Sequence, residues 1–396
     1  MHRLITGAYA GLLIGFFGAS ALAQDLDLIG AALRGHPGAE AASPRLHEGR
    51  RLFERETFGG NGRTCLTCHS RETGTVSPEE ARQRFVDDPG DPLFLHDGSD
   101  DGEGNGVTRL LEDGTILVEI PLPPNVTLGD DPSARSVVLA RGIPTTLNTP
   151  ALDPVLMYDG RHATLEAQAA GAIADHTQNT VSPSDAELSS IADFQRTDAF
   201  FSSTALRKFA RGGEAPGLPY GHTSSERRGR RFFEDLPIDA SGKDGVCAGC
   251  HSGALLNQTN EFFAVPVPPG TRFFSVLVSE LNAAGNPVRE FIFDNGDGTE
   301  TVVTSPDPGR ALITGVGQDV LRGDNVNAFK ISQLRGVAKT APYFHDNSAK
   351  TLEAVVAHYA LFFSIVTDPD GPGPLGPVVV LTPQDQADIV AFMKLL

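Results

Sequence analysis

Two short stretches hold all of the cysteines in the chain: Cys65-Leu66-Thr67-Cys68-His69 and Cys247-Ala248-Gly249-Cys250-His251. Paired thiols two residues apart, followed at once by histidine, form the attachment pattern for c-type haem. Both sulfurs add to the haem vinyl groups, and the adjacent imidazole becomes the proximal iron ligand. The sequence therefore predicts two covalently bound haems, one on Cys65 and Cys68 and one on Cys247 and Cys250, with His69 and His251 on the irons. Disulfides and a four-thiolate zinc site are the other uses of such cysteines. Neither gives a reason for histidine to follow both pairs.

The stretches around the two motifs repeat. Gly49-Arg50-Arg51-Leu52-Phe53-Glu54 precedes the first and Gly229-Arg230-Arg231-Phe232-Phe233-Glu234 the second. Each reads as an amphipathic helix, the first over about Pro44 to Thr57, with a glycine suited to a close helix crossing. Further on, Asp159 stands five residues before Thr164-Leu165-Glu166-Ala167, and Asp346 stands five before Thr351-Leu352-Glu353-Ala354. Both read as a turn followed by a helix start. Each unit closes with an N-cap and proline signal, Ser182-Pro183 and Thr382-Pro383. The predicted fold is mainly α: two tandem cytochrome c-like domains, residues 24–215 and 216–396, joined in the Gly- and Pro-rich stretch from Gly212 to Ser225.

Each unit carries an insert of a different character. Asp113-Gly114 between apolar arms predicts a hairpin, as does Asp294 to Gly298 between Phe291-Ile292-Phe293 and Thr301-Val302-Val303. The acidic loop from Asp97 to Gly106 is rich in oxygen donors. It lacks EF-hand spacing and reads as a solvated turn.

The repeat also compares the far sides of the two haems. Thr351 follows Thr164 by 187 residues, which sets Tyr359 opposite Ala172. A phenolate binds iron and a methyl group does not, so the second haem is expected to be capped and the first open. His358 competes with Tyr359 as the ligand, and a core aromatic is the plain alternative for Tyr359. Methionine is scarce, Met157 and Met393 being the only ones beyond the initiator.

Composition sets the class. Hydrophobic content of 40% with 21% charged residues fits a soluble globular protein. Arg3, the apolar run from Ala8 to Phe17, and Ala21-Leu22-Ala23 read as a secretory signal peptide over residues 1–23, cleaved after Ala23. A transmembrane anchor is the alternative, but the run is short for a bilayer. The expected location is the periplasm, with no membrane span after cleavage. A formal net charge of −18 argues against nucleic acid and anionic lipid as partners.

Together with the two haem motifs, Tyr158-Asp159-Gly160-Arg161 followed by Gln168, and the run from Leu334 to Asp346, resemble the bacterial dihaem cytochrome c peroxidase family, which includes MauG. The resemblance covers most of the chain outside the two inserts. It implies peroxide chemistry at the N-terminal haem and electron transfer through the C-terminal one. In the peroxidases a methionine ligates the second haem fourteen residues after the histidine matching His345. Tyr359 stands there in this chain, similar to MauG. The resemblance places Tyr158 between the haems, where the family has tryptophan, and puts Gln168 on the distal side of the first haem. Gln178 stands where the family has a distal glutamate. An amide orients peroxide but does not shuttle its proton, and His176 is the nearby substitute base or a surface histidine. The family's inter-haem calcium takes an asparagine side chain that Gly142-Ile143-Pro144 does not offer, leaving only the carbonyls of Thr340 and Pro342 as matching calcium ligands. The implied partners are hydrogen peroxide with a small cytochrome c or cupredoxin donor, or a protein substrate oxidised in the MauG manner. A dihaem electron-transfer protein without peroxide chemistry is the non-enzymatic alternative.

Overall fold

The computed structural model describes residues 42–148, 153–239, 242–263, 267–282, 285–318, 325–371 and 376–396. The expected signal peptide lies outside them. Among the described residues the fold is mostly helical with small sheets, and no helix is long and apolar enough to cross a membrane.

The principal helices are α1 (Ala42–Arg55), α2 (Cys65–Cys68), α3 (Thr108–Asp113), α4 (Leu165–His176), α5 (Asp185–Thr197), α6 (Ser224–Arg231), α7 (Leu352–Val366) and α8 (Pro383–Met393). Helix α1 packs on α5 and α6 packs on α8. Both crossings close on a glycine. A Cβ on Gly49 would lie 2.0 Å from the Ser190 carbonyl oxygen, and one on Gly229 would lie 1.9 Å from that of Asp388. Only glycine permits backbones to approach so far. Phe53 and Phe194 fill the core beneath the first crossing, Phe233 and Phe392 that beneath the second.

Helices α4 and α7 start alike. The Thr164 and Thr351 hydroxyls accept from the amides of Ala167 and Ala354, each at 3.1 Å. The turns before them also match. Leu156 bridges to His162 as Tyr343 does to Ala349. Met157 (φ 64°) and Phe344 (φ 70°) both take the left-handed conformation that bulky side chains avoid. The sequence reading of the last helix of the first unit needs a small correction. Ser184 caps α5 in a reciprocal pairing with Glu187, so Ser182-Pro183 lies outside the helix. Thr382 caps α8 with Pro383 at its first position, as expected.

The inserts hold the strands β1 (Thr115–Pro121), β2 (Val126–Leu128), β3 (Ser136–Gly142), β4 (Phe273–Phe274), β5 (Arg289–Asp294), β6 (Glu300–Ser305) and β7 (Phe329–Lys330). The second predicted hairpin forms, with β5 antiparallel to β6 around Asp294 to Gly298. The first does not form at Asp113-Gly114. There Gly114, at φ 67°, ends α3 in a left-handed cap, and β1 begins after it and pairs with β3. Asp-Gly serves a helix C-terminus as readily as a hairpin, because both need a positive φ. Strand β2 leaves its own unit and pairs with β5, so the two inserts share one three-stranded sheet and one apolar core containing Val126, Leu128, Phe291 and Phe293.

Candidate functional site

Both cysteine motifs fold as a single tight turn that sets the histidine in one orientation. The His69 amide bonds to the Cys65 carbonyl at 3.0 Å and the His251 amide to that of Cys247 at 2.8 Å. Each imidazole then donates from Nδ1 to a carbonyl five residues on, His69 to Gly74 at 2.8 Å and His251 to Leu256 at 2.9 Å. Fixing Nδ1 as the donor leaves Nε2 with its lone pair free, the form a metal-ligating histidine needs. Burial pushes His69 down to about 4, with His176 adding to it, so the ring is neutral at physiological pH. Burial pushes the Cys65, Cys247 and Cys250 thiols up to about 12. The two pairs pack in separate clusters, Cys65 with Phe53 and Ile173, and Cys250 with Phe274 and Tyr359. Among the described residues no three His, Cys, Asp or Glu side chains gather as a metal cage, so the two pairs do not form a common thiolate site.

The second motif opens on an apolar cavity with about 210 Å³ of water-accessible space. Cys247, Cys250 and His251 line it, as do Tyr359, Tyr158 and His345. Such walls suit a flat, apolar group, and His251 and Tyr359 both line them. Burial holds the Tyr359 phenol above its ordinary range, and a nearby cation would favour its ionised form. His358, the competing ligand, has its Nε2 on the Val276 carbonyl at 2.7 Å and is not among the residues lining the cavity.

At the first motif, α4 lies against the cysteine turn. Ala169 and Ile173 pack in the cluster that includes Cys65, while Gln168 and Ala172 are half-buried one turn apart. The ring of His162 covers Gly171, with Cε1 2.7 Å from where a Cβ would stand. Burial, and then Arg161, keeps that imidazole neutral. Gln178 is exposed at the end of α4 and accepts from Asn61 Nδ2 at 3.3 Å.

His176 is not a free surface side chain. Its Nδ1 pairs with Asp97 Oδ2 at 2.5 Å, and the other Asp97 oxygen pairs with Arg63, which is buried and also donates to the carbonyls of Pro92 and Leu93. The rest of the acidic loop ties its own backbone. Asp100 accepts from the amides of Thr108 and Arg109, and Asp101 from those of Glu103 and Asn105. The Asn347 side chain reaches Gly142, its Oδ1 standing 2.2 Å from where a Cβ would be.

Sequence reasoning missed a buried charge network. Arg141 makes two bonds to Asp307, at 2.7 and 2.8 Å, and one to Asp159 at 2.5 Å. His345 stacks on Phe329 with ring centroids 3.5 Å apart, and its Nε2 faces Asp307 at 3.7 Å. Tyr158 and His345, 187 residues apart, are the equivalent residues of the two matching turns, and both face the same cavity.

No protein-family profile matches the sequence, and no curated protein matches it significantly. Among solved structures, the chain is similar to a MauG-like protein associated with microbial copper homeostasis, at 21% identity over 91% of this chain and 89% of that one, with a TM-score of 0.49. It is similar to the diheme peroxidase BthA from Burkholderia thailandensis, at 16% identity over 90% and 86%, with a TM-score of 0.45. It is also similar to the hydrazine synthase of Kuenenia stuttgartiensis, at 15% identity over the full length of both, with a TM-score of 0.44. These likenesses are too distant to carry a function.

Proposed function

We propose that the chain is a periplasmic dihaem c-type oxidoreductase that reduces hydrogen peroxide with electrons from a protein donor. Its two cytochrome c-like domains would span residues 24–215 and 216–396, each holding one haem. The observation that carries this reading is the contrast between the two sites. Tyr359 lines the same cavity as His251, whereas the equivalent helix position at the first site is Ala172.

Cys65, Cys68 and His69 would hold the first haem, and Cys247, Cys250, His251 and Tyr359 the second. Bound haem supplies the redox centre at which peroxide takes up two electrons and two protons to give two waters. The protein's part is to bind, orient and connect. The Gln168 amide would donate to peroxide and fix its orientation at the first site. Gln178, the other distal residue, is exposed just past the end of the same helix and bonded to Asn61. Tyr158 lines the cavity of the second site and would relay electrons between the two. An anionic Tyr359 favours the more oxidised iron and so retains oxidising equivalents. That property also supports a second reading, MauG-like oxidation of a partner protein's side chains.

Electron paramagnetic resonance during a peroxide titration tests the proposal. The expected result is one high-spin and one low-spin ferric haem, with the high-spin signal lost as peroxide is added. Two low-spin haems in every redox state, with only slow bleaching by peroxide, would overturn it in favour of a simple electron carrier.

A further inference from the structure

Helices α4 and α7 are repeat copies, and α7 shows which of their positions face a cysteine motif. Val355, Tyr359 and Phe363 stand four residues apart along one face of α7, and all three line the cavity with Cys247, Cys250 and His251. The repeat offset of 187 sets Gln168, Ala172 and His176 in the same places on α4, each of them half-buried. Ala169 and Ile173, on the neighbouring face, pack in the cluster that includes Cys65. The inert ring of Phe363 at the second site is thus replaced at the first by an imidazole.

That imidazole is held from two sides. Its Nδ1 donates to Asp97 Oδ2 at 2.5 Å, and Asp97, itself buried, is paired with Arg63. The His176 carbonyl accepts from Arg63 at 3.1 Å and from Asn61 at 3.2 Å, and the Asn61 amide donates to the Thr177 carbonyl at 2.8 Å. Arg63 stands two residues before Cys65, so these bonds fasten the end of α4 to the chain entering the first motif. With Nδ1 committed to the carboxylate, the Nε2 lone pair is the one free to take a proton. The neighbouring side chains offer less. Gln168 and Gln178 are amides, which orient a substrate but do not carry its proton. His162 lies over Gly171, whose counterpart His358 is not among the residues lining the cavity. Asp175, the counterpart of the lining residue Phe362, is exposed.

We infer that His176 is the proton carrier of the first site. Its Nε2 takes the proton from one peroxide oxygen and delivers it to the other as the O–O bond breaks. The oxygen that receives the proton leaves as water with the bonding electron pair. The oxygen left behind takes two electrons from the redox centre and two protons from solvent to give the second water. Asp97 stabilises the imidazolium between the two transfers, and His176 ends in the form in which it began.

This inference rests on the proposed reaction of the first site with peroxide, and the test separates the two. Oxidised holoprotein is mixed with hydrogen peroxide, with hydrogen cyanide and with neutral imidazole, and the high-spin haem is followed by rapid-mixing optical spectroscopy. Hydrogen cyanide loses a proton on binding ferric iron, whereas imidazole binds through a lone pair and loses none. His176→Gln should slow the reactions with peroxide and hydrogen cyanide by about 10²-fold and leave imidazole binding at the wild-type rate. Asp175→Asn should leave all three rates unchanged. Wild-type rates with peroxide and hydrogen cyanide in His176→Gln overturn the role of His176. So does equal slowing with all three ligands, which is what a change of structure or access would give, and so does slowing confined to Asp175→Asn. Wild-type protein that binds cyanide but does not react with peroxide overturns the proposed function, and the cyanide comparison then still decides whether His176 takes the proton.

Discussion

Tyr359 and Ala172 hold the same place in two copies of one helix start, eight residues after the capping threonines Thr351 and Thr164. Because the caps superpose in geometry as well as in sequence, the difference between a phenol and a methyl group is a difference between two otherwise like sites. Replacing Tyr359 with Phe keeps the aromatic packing against Phe362 and Phe363 and removes only the oxygen. The low-spin ferric spectrum of one haem should change, and its reduction potential should rise by roughly 0.1 V within the ~0.8 V span that axial ligands command. His358→Ala should leave that spectrum alone. A change on His358→Ala and none on Tyr359→Phe would reverse the assignment.

The two motifs also make separable predictions about haem content. Cys65→Ser with Cys68→Ser should leave one covalent haem by denaturing mass spectrometry and remove the high-spin, peroxide-sensitive signal. Cys247→Ser with Cys250→Ser should also leave one, but retain the high-spin signal. Loss of the high-spin signal from the second variant instead would place peroxide chemistry at the other haem.

Gly229→Ala tests the close crossing of α6 and α8. Alanine improves helix propensity by about 1 kcal/mol, but its methyl would stand 1.9 Å from the Asp388 carbonyl oxygen. Overpacking of this kind costs about 1–3 kcal/mol and prevails. Chemical denaturation should show a lower midpoint, and an unchanged midpoint would mean that the helices slide apart freely.

The Arg63–Asp97–His176 cluster makes the stability pH-dependent. Burial opposes ionisation of Asp97, but its bond to His176 and the charge of Arg63 outweigh that and hold its pKa below the ordinary value. A depressed carboxylate pKa contributes stability that is present above the unfolded value of about 3.9 and is lost as the pH falls through the folded value. Asp97→Asn should therefore cost about 3–5 kcal/mol near neutral pH, since Arg63 would be left buried without its counter-ion. The difference from wild type should shrink as the pH drops below about 4. A difference that stays constant over that range would show that the carboxylate charge is not responsible.

What the sequence revealed and what it hid follow one division. Local signals were legible: the CxxCH turns, the Thr164 and Thr351 caps, and Gly49 and Gly229 at crossings. Each depends on a few adjacent residues whose chemistry permits few conformations. Asp113-Gly114 misled because a positive φ is common to hairpins and helix ends. The bonds of Arg141 to Asp307, of His176 to Asp97 and of β2 to β5 join residues far apart in the chain, and no local pattern announces them. The placement of Gln168, Gln178, Tyr158 and Tyr359 came from alignment of the repeat and from family resemblance.

The pairing of Val126 with Phe293 has a consequence for how the chain is made. When the first half emerges, β2 has no neighbour, and the core that Val126 and Leu128 enter lacks Phe291 and Phe293 until β5 arrives more than 160 residues later. Closing so long a loop is slow, and an unpaired strand in the meantime is prone to wrong associations. A fragment ending near residue 215 would be left permanently in that condition. The first cysteine motif is thus the earlier to be synthesised, yet the sheet that β2 belongs to stays incomplete until the second half is made.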